Sequence, residues 1–272
     1  MNTPALSHGD LLTEPIRVRS AGATDVGAVR SMNEDSYLAG SPIYLVADGM
    51  GGHNAGEVAS AMVVDQFADL VGTDDLTPET IAESLIAAYD RITQISSDSS
   101  NGAGTTVALV GTAWDNDQAA WIVMNLGDSR VYRLSNGDFE QISIDHSVVQ
   151  ELVDRGDITA DEARVHPYRN MVTRALGPGP NSRPDFWLLP AMLGDRFVIC
   201  SDGVNGELDD SVIEQVLRET GDVRDIPGIL VKRAVEAGGR DNATVVALEA
   251  VLEGATEDVE RFSLFALGDD DS

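Results

Sequence analysis

The spacing of apolar residues shifts along this chain, and each shift predicts a different element. Ile16 to Ser20 alternates apolar and polar positions, the period of an edge or half-buried strand. Ile43 to Ala47 is an unbroken apolar run between Pro42 and Asp48, which predicts a strand buried on both faces. Glycine-rich sequence follows, and a helix is predicted over about 56–72. After the polar stretch GTDDLTPE, Ile81, Leu85, Ala88, Ile92 and Ile95 recur at steps of four, three, four and three. That is the cleanest helical face in the chain, and it predicts a helix packed on a sheet. From Thr105 the composition turns β-branched and aromatic. TTVALVGTAW, QAAWIVMNLG and SRVYRLS are separated by short polar turns, and Asn136-Gly137 marks a tight hairpin into DFEQIS. Strands in such close succession predict an antiparallel meander under the earlier helices.

Residues 145–177 break the rhythm with short helical pieces and then HPYRNMVTRALG, an irregular insertion of the kind that carries function. Strand character resumes in DFWLL and RFVICSDG. Amphipathic helices follow over about 209–219 and 225–237, and DNATVVALEA closes the pattern as a strand. Residues 1–15 read as a loose N-terminal tail. Residues 253–272 form an acidic C-terminal tail with interleaved Phe and Leu, open to disorder, to docking on its own domain or to a partner. No linker or repeat divides the chain, so residues 16–252 are expected to form one domain.

Charge narrows the partners. The 272 residues carry 46 acids against 18 bases, a formal net charge of -28. That argues against nucleic acid or an anionic membrane surface, and favours cations and basic substrates. A single cysteine, Cys200, excludes an internal disulfide and a cysteine-based zinc cluster. No apolar run approaches the roughly 20 residues that span a bilayer, and the N-terminus lacks a signal-peptide pattern. A cytoplasmic, monomeric protein is the expectation. With Lys232 as the sole lysine there is no GK[ST], so a Walker-type phosphate loop is excluded and NGAGTT reads as a turn into a strand.

Acids recur where apolar runs stop. Asp48 follows YLVA, Asp128 follows WIVMNLG and Asp202 follows FVICS, whereas Asp241 precedes TVVAL. In antiparallel strands such starts and ends meet at one sheet edge, and converged carboxylates demand protons or cations. Asp48 is followed by Gly49, Gly51 and Gly52, whose backbone can approach a ligand closely and suits a hard cation. Read alone, each of these acids is equally ordinary turn chemistry.

RSMNEDS, VADGMGG, GAGTT, LGDSRVY, CSDGV and GGRDNATVV occur in that order from about residue 17 to 250. Together they resemble the bacterial branch of the metal-dependent Ser/Thr protein phosphatases, the PPM or type-2C family. The resemblance implies an α+β fold, a four-layer α-β-β-α sandwich of two mainly antiparallel sheets flanked by helices. It also implies a flap over about 145–177. It implies two core Mn2+ or Mg2+ ions and a third, weaker one. Asp48 matches the bridging ligand, Gly49 a backbone-carbonyl ligand, and Asp202 and Asp241 ligands of the first metal. Glu34 and Asp35 match acids of the second metal, and Asp128 with Asp202 the third site. Arg30 matches a phosphate-binding arginine; its guanidinium fork suits two phosphate oxygens. His146 and the segment around His166 follow the bacterial pattern. Met50 stands where many members carry His, which leaves the proton source open between a bound water and His53. The implied activity is hydrolysis of phosphoserine and phosphothreonine on proteins, reversing Ser/Thr kinases. The alternative is a catalytically weak member that binds phosphoproteins as a regulatory module.

Overall fold

The β-branched runs find partners far away in sequence, and this distributes them over two sheets. The computed structural model describes residues 11–12, 15–51, 55–74, 76–96, 102–177 and 183–251. His53 and the two terminal tails lie almost wholly outside that set. The first sheet has the order β1-β11-β10-β7-β8: β1 (Arg17–Asp25), β11 (Ala243–Val251), β10 (Arg196–Cys200), β7 (Arg130–Ser135) and β8 (Asp138–Gln141). The second runs β2-β3-β5-β6-β9: β2 (Asp35–Gly40), β3 (Ile43–Gly51), β5 (Val107–Asp115), β6 (Gln118–Leu126) and β9 (Asp185–Pro190). A short β4 (Ala103–Thr105) pairs with the far end of β3, and all the pairings are antiparallel.

Three apolar layers separate four structural ones. Tyr44, Val46, Val110, Trp121 and Val123 face Val131, Phe197, Ile199, Val246 and Leu248 between the sheets. On the outer side of the second sheet, helices α1 (Ala55–Ala68) and α2 (Pro78–Ser96) lay Val63, Phe67, Ile81, Leu85 and Ile92 over Leu45, Leu109 and Met124. On the outer side of the first, α6 (Asp210–Glu219) and α7 (Ile226–Ala237) cover Val198, Val245 and Ala247. A strand with helices on one side and a sheet on the other is buried on both faces, which is why Ile43–Ala47 is uniformly apolar. The expected four-layer sandwich is the observed architecture. The predicted insertion contains α3 (Val148–Asp154) and α4 (Ala160–Val165), and α5 (Asp202–Asn205) is a single turn after β10.

Three local expectations give way. β5 and β6 form the predicted hairpin, but β7 leaves for the other sheet and pairs with β10 and β8, so there is no continuous meander. The switch occurs at Gly127, whose φ of +125° and close approach to Thr106 (a Cβ there would lie 2.5 Å from its side chain) require glycine. Asp48 does not end its strand: β3 continues to Gly51 and exchanges β5 for β4 as partner between Val46 and Gly49. The helix expected over about 56–72 is α1, which stops at Ala68.

The two sheets are bolted by one buried polar group. Asp195 accepts hydrogen bonds from Trp121 Nε1 (2.8 Å), Arg133 (2.8 Å) and the Met192 amide (3.0 Å), with no side-chain exposure. Trp121 comes from the second sheet and meets Phe197 of the first edge-on at 5.0 Å. Removing the carboxylate strands a buried guanidinium and an indole N–H. Asp195→Ala is therefore expected to cost about 3–5 kcal/mol and to lower Tm by about 10 °C. A melt within 2 °C of the parent, as a rough bound on a surface change, would refute the assignment.

Candidate active site

Antiparallel order brings strand starts and ends to one edge of the sandwich, and the predicted acids meet there. Asp35 opens β2 directly opposite Asp48 on β3. Two carboxylates at facing positions of a strand pair repel, an arrangement a sheet tolerates only with protons or cations between them. Asp128 enters from the turn after β6, Asp202 from the end of β10, and Asp241 from the residue pair before β11.

Residues outside the predicted set hold these acids in place. The Asp48 amide donates to Thr106 Oγ1 (3.0 Å), and its carbonyl accepts from the Thr106 amide (2.9 Å) and Thr105 Oγ1 (2.9 Å). Thr106 Oγ1 also meets Ser129 Oγ at 2.8 Å, beside Asp128. GAGTT thus anchors Asp48 rather than serving only as a turn; its two adjacent threonines were the available signal. Ser201 Oγ donates to Asp35 at 2.8 Å, a role hidden in CSDG because the partner is 166 residues away.

The electrostatics follow from crowding. Burial, then the charges of Asp35, Asp202, Asp128 and Asp241, push the Asp48 carboxyl far above the ordinary carboxylate range. Burial, then Asp202 and Asp145, does the same to Asp128. Burial raises Asp35 to about 7 against the opposing hydrogen bonds of Thr244 and Ser201. Burial and then Asp241 raise Asp202 to about 6, opposed by a hydrogen bond shared with Asp48.

Arg30 stands at the rim and donates to Asp241 at 2.6 Å, with half of its side chain exposed. Glu34 is peripheral: its charge acts on Arg30, and its amide is held by Asn242 Oδ1 at 2.8 Å. Gly49 is indispensable as glycine, because a Cβ there would lie 2.2 Å from the Gly56 carbonyl oxygen. Its amide donates to the Glu34 carbonyl at 3.1 Å. His146 braces the turn that carries Asp128, its backbone amide donating to the Gly127 carbonyl (2.8 Å), with one ring nitrogen accepting from the Gly127 amide (3.1 Å) and the other facing Asp185 (3.0 Å).

An all-carboxylate donor set fits a hard divalent cation. Among the described residues no three acidic, histidine or cysteine side chains already close on one point as a finished ligand set. The reason is visible in their partners. Asp202 is hydrogen-bonded to Asp48, and Asp241 is turned to Arg30. Cations would replace both contacts. Beside the acids lies a cleft of ≈ 240 Å³, walled on one side by Asp128, Asp202 and Asp241 and on the other by Arg164, Arg169 and Asn170 of the insertion.

Comparison with known proteins agrees with this geometry. Residues 28–226 match the family model described as Protein phosphatase 2C. The serine/threonine protein phosphatase PstP of Mycobacterium tuberculosis is 36% identical over 244 residues, covering 86% of this chain and 45% of that protein. The chain thus spans less than half the length of that relative. The serine/threonine phosphatase stp of Listeria monocytogenes is 33% identical over 241 residues, covering 83% of this chain and 93% of that one. The crystal structure of M. tuberculosis PstP/Ppp shares 36% identity and superposes with a TM-score of 0.79 over 87% of this chain and all of that one. The PstP catalytic domain in complex with two manganese ions gives a TM-score of 0.76 at 34% identity, over 87% and 99%. The motif order, the two-sheet sandwich and these likenesses converge: the chain belongs to the protein phosphatase 2C family.

Proposed function

We propose that this chain removes phosphate from phosphoserine and phosphothreonine on proteins. The observation that carries the reading is Asp35 facing Asp48 among three further acids, with Arg30 at their rim. Left to itself such a cluster repels a phosphate dianion, so it serves hydrolysis only when cations occupy it. Asp48, the Gly49 backbone, Asp202 and Asp241 would hold a core pair of ions, with Glu34 and Asp35 serving the second, and Asp128 with Asp202 would hold a third, weaker one. Mg2+ and Mn2+ both suit oxygen donors. Once bound, the pair neutralises the acids and supplies the Lewis acidity that makes water nucleophilic near neutral pH.

The chain's own residues do the rest. With Asp241 turned to a cation, Arg30 would be released from it and free to grip two phosphate oxygens with its fork, which its half-exposed position permits. Arg169 and Asn170 of the insertion line the cleft, where they would meet the peptide. The substrates are proteins phosphorylated by Ser/Thr kinases, and the chain acts as a cytoplasmic monomer. No described helix is long and apolar enough to cross a membrane.

The test is phosphate release from a phosphothreonine and a phosphotyrosine peptide with Mn2+, with Mg2+ and with EDTA. Release from phosphothreonine that disappears in EDTA and in Asp241→Ala supports the reading. No release from folded protein under either metal refutes it. Arg30→Ala is expected to raise KM about 10–100-fold with little change in kcat, since a charged hydrogen-bonded contact to the bound phosphate is lost. A fall in kcat at unchanged KM contradicts that role.

A further inference from the structure

Arg30 and Glu34 belong to a loop with no regular structure of its own, between the end of β1 at Asp25 and the start of β2 at Asp35. Something else must fix where the guanidinium points. The candidate is Asn242, 5% exposed and adjacent to Asp241. Its Nδ2 donates to the Val26 carbonyl (2.9 Å) and to the Met32 carbonyl (2.8 Å), and its Oδ1 accepts from the Glu34 amide (2.8 Å). These partners, two carbonyls and one N–H, allow a single orientation of the amide group. One side chain therefore pinches the two ends of the 26–32 segment together and leaves Arg30 on the closed loop.

Further contacts show how tightly the loop rests on the turn before β11. The Ala28 amide donates to the Gly239 carbonyl at 2.8 Å. Gly27 has φ +80°, and a Cβ there would stand 2.3 Å from the Asp241 carbonyl oxygen. The Asn242 amide itself donates to Asp241 Oδ1 at 2.9 Å, while Arg30 donates to Asp241 Oδ2. One short turn thus touches both the acid proposed as a metal ligand and the loop that bears the arginine.

We propose that Asn242 is a positioning residue for phosphate binding: it sets the Arg30 loop against Asp241, so the arginine is preorganised at the mouth of the acid cluster. This rests on the reading of Arg30 as the phosphate-gripping group. A loop carrying its own entropy would bind phosphate more weakly, and misplacement of a gripping group by about 1 Å can cost about 10²-fold.

The experiment is a double-mutant cycle on the Mn2+-loaded protein with Arg30→Ala, Asn242→Ala and both together. The readouts are KM and kcat on a phosphothreonine peptide, the inhibition constant of inorganic phosphate, and Mn2+ affinity by calorimetry. Asn242→Ala is expected to raise KM and the phosphate inhibition constant about 10-fold, with kcat and Mn2+ affinity within about threefold. In the Arg30→Ala background the same change should add less than about twofold, because the group it positions is already gone. If Asn242→Ala melts below the assay temperature, Asn242→Ser, whose shorter hydroxyl fills part of the polar site but falls short of the loop, takes its role in the cycle. Additive effects on phosphate affinity, or a loss confined to Mn2+ binding, overturn the proposal while leaving the reading of Arg30 intact. If Arg30→Ala itself leaves phosphate affinity unchanged, both fall.

Discussion

Asp48→Asn is expected to abolish turnover and, in EDTA, to melt at a higher temperature than the parent. The first effect follows from its place. Asp48 faces Asp35 across the strand pair and feels the charge of every other acid in the cluster. On the proposed reading an amide in its place would be a poorer ligand for the core cations, and metal chemistry worth several kcal/mol would go with it, so kcat/KM should fall at least about 10³-fold. The second effect follows from the same crowding without cations. The carboxyl is held far above its ordinary range by burial first and by neighbouring acids second, so a neutral isostere removes a repulsion from the folded chain. Each kcal/mol recovered raises Tm by about 2–4 °C in a protein of this size. Melting curves in EDTA and in saturating Mn2+ check both parts. The parent should gain far more from Mn2+ than the variant does. A variant that is less stable than the parent in EDTA contradicts the account of the site as charge-strained.

Metal removal should also give the protein a pH dependence opposite to ordinary acid denaturation. Asp35 is raised from 3.8 to about 7 and Asp202 from 3.8 to about 6, in both cases by burial first. An acid whose folded pKa lies above its unfolded one keeps its proton in the folded chain after the unfolded chain has lost it. Its contribution is complete below the unfolded value and drains away as pH climbs through the folded one. Metal-free protein should therefore lose stability between about pH 4 and pH 7, with a slope of up to about 1.4 kcal/mol per pH unit for each such proton. Below that window the sign reverses. Asp222, held down to about 2 by Arg224, and Asp185 and Glu207, also lowered, favour the folded chain only while ionised. The optimum in EDTA should fall near pH 4, where the two limbs meet, and saturating Mg2+ or Mn2+ should move it upward, because cations favour the ionised acids. Tm measured from pH 4 to 8 with and without metal decides this. A flat EDTA profile from pH 5 to 7.5 refutes it.

Much of this could be read before any coordinates. Helix α2 was legible because one face repeats at the helical period, and Ile81, Leu85, Ala88 and Ile92 are indeed buried. The hairpin at Asn136-Gly137 was legible because both residues take positive φ, as that dipeptide prefers. The acids at the ends of apolar runs signalled a shared edge, and the ordered motifs supplied the family. The partners of those elements were not legible. β7 resembles β5 and β6 in composition, yet it belongs to the other sheet, since β-branched content reports burial and not which strand lies alongside.

What the sequence by itself determined is most of the elements, though not β2 or β4, along with the candidate acids and glycines of the site and the family they mark. These are local properties, carried by period, turn chemistry and motif order. What only the tertiary structure decided is contact between distant residues. Asp35 opposes Asp48 through strand register, Thr106 grips Asp48 from 58 positions away, and Asn242 reaches back 210 and 216 positions to Met32 and Val26. Such contacts form when two buried surfaces pack and every enclosed polar group must find a partner. That condition applies to the whole fold at once, and no single stretch of sequence expresses it.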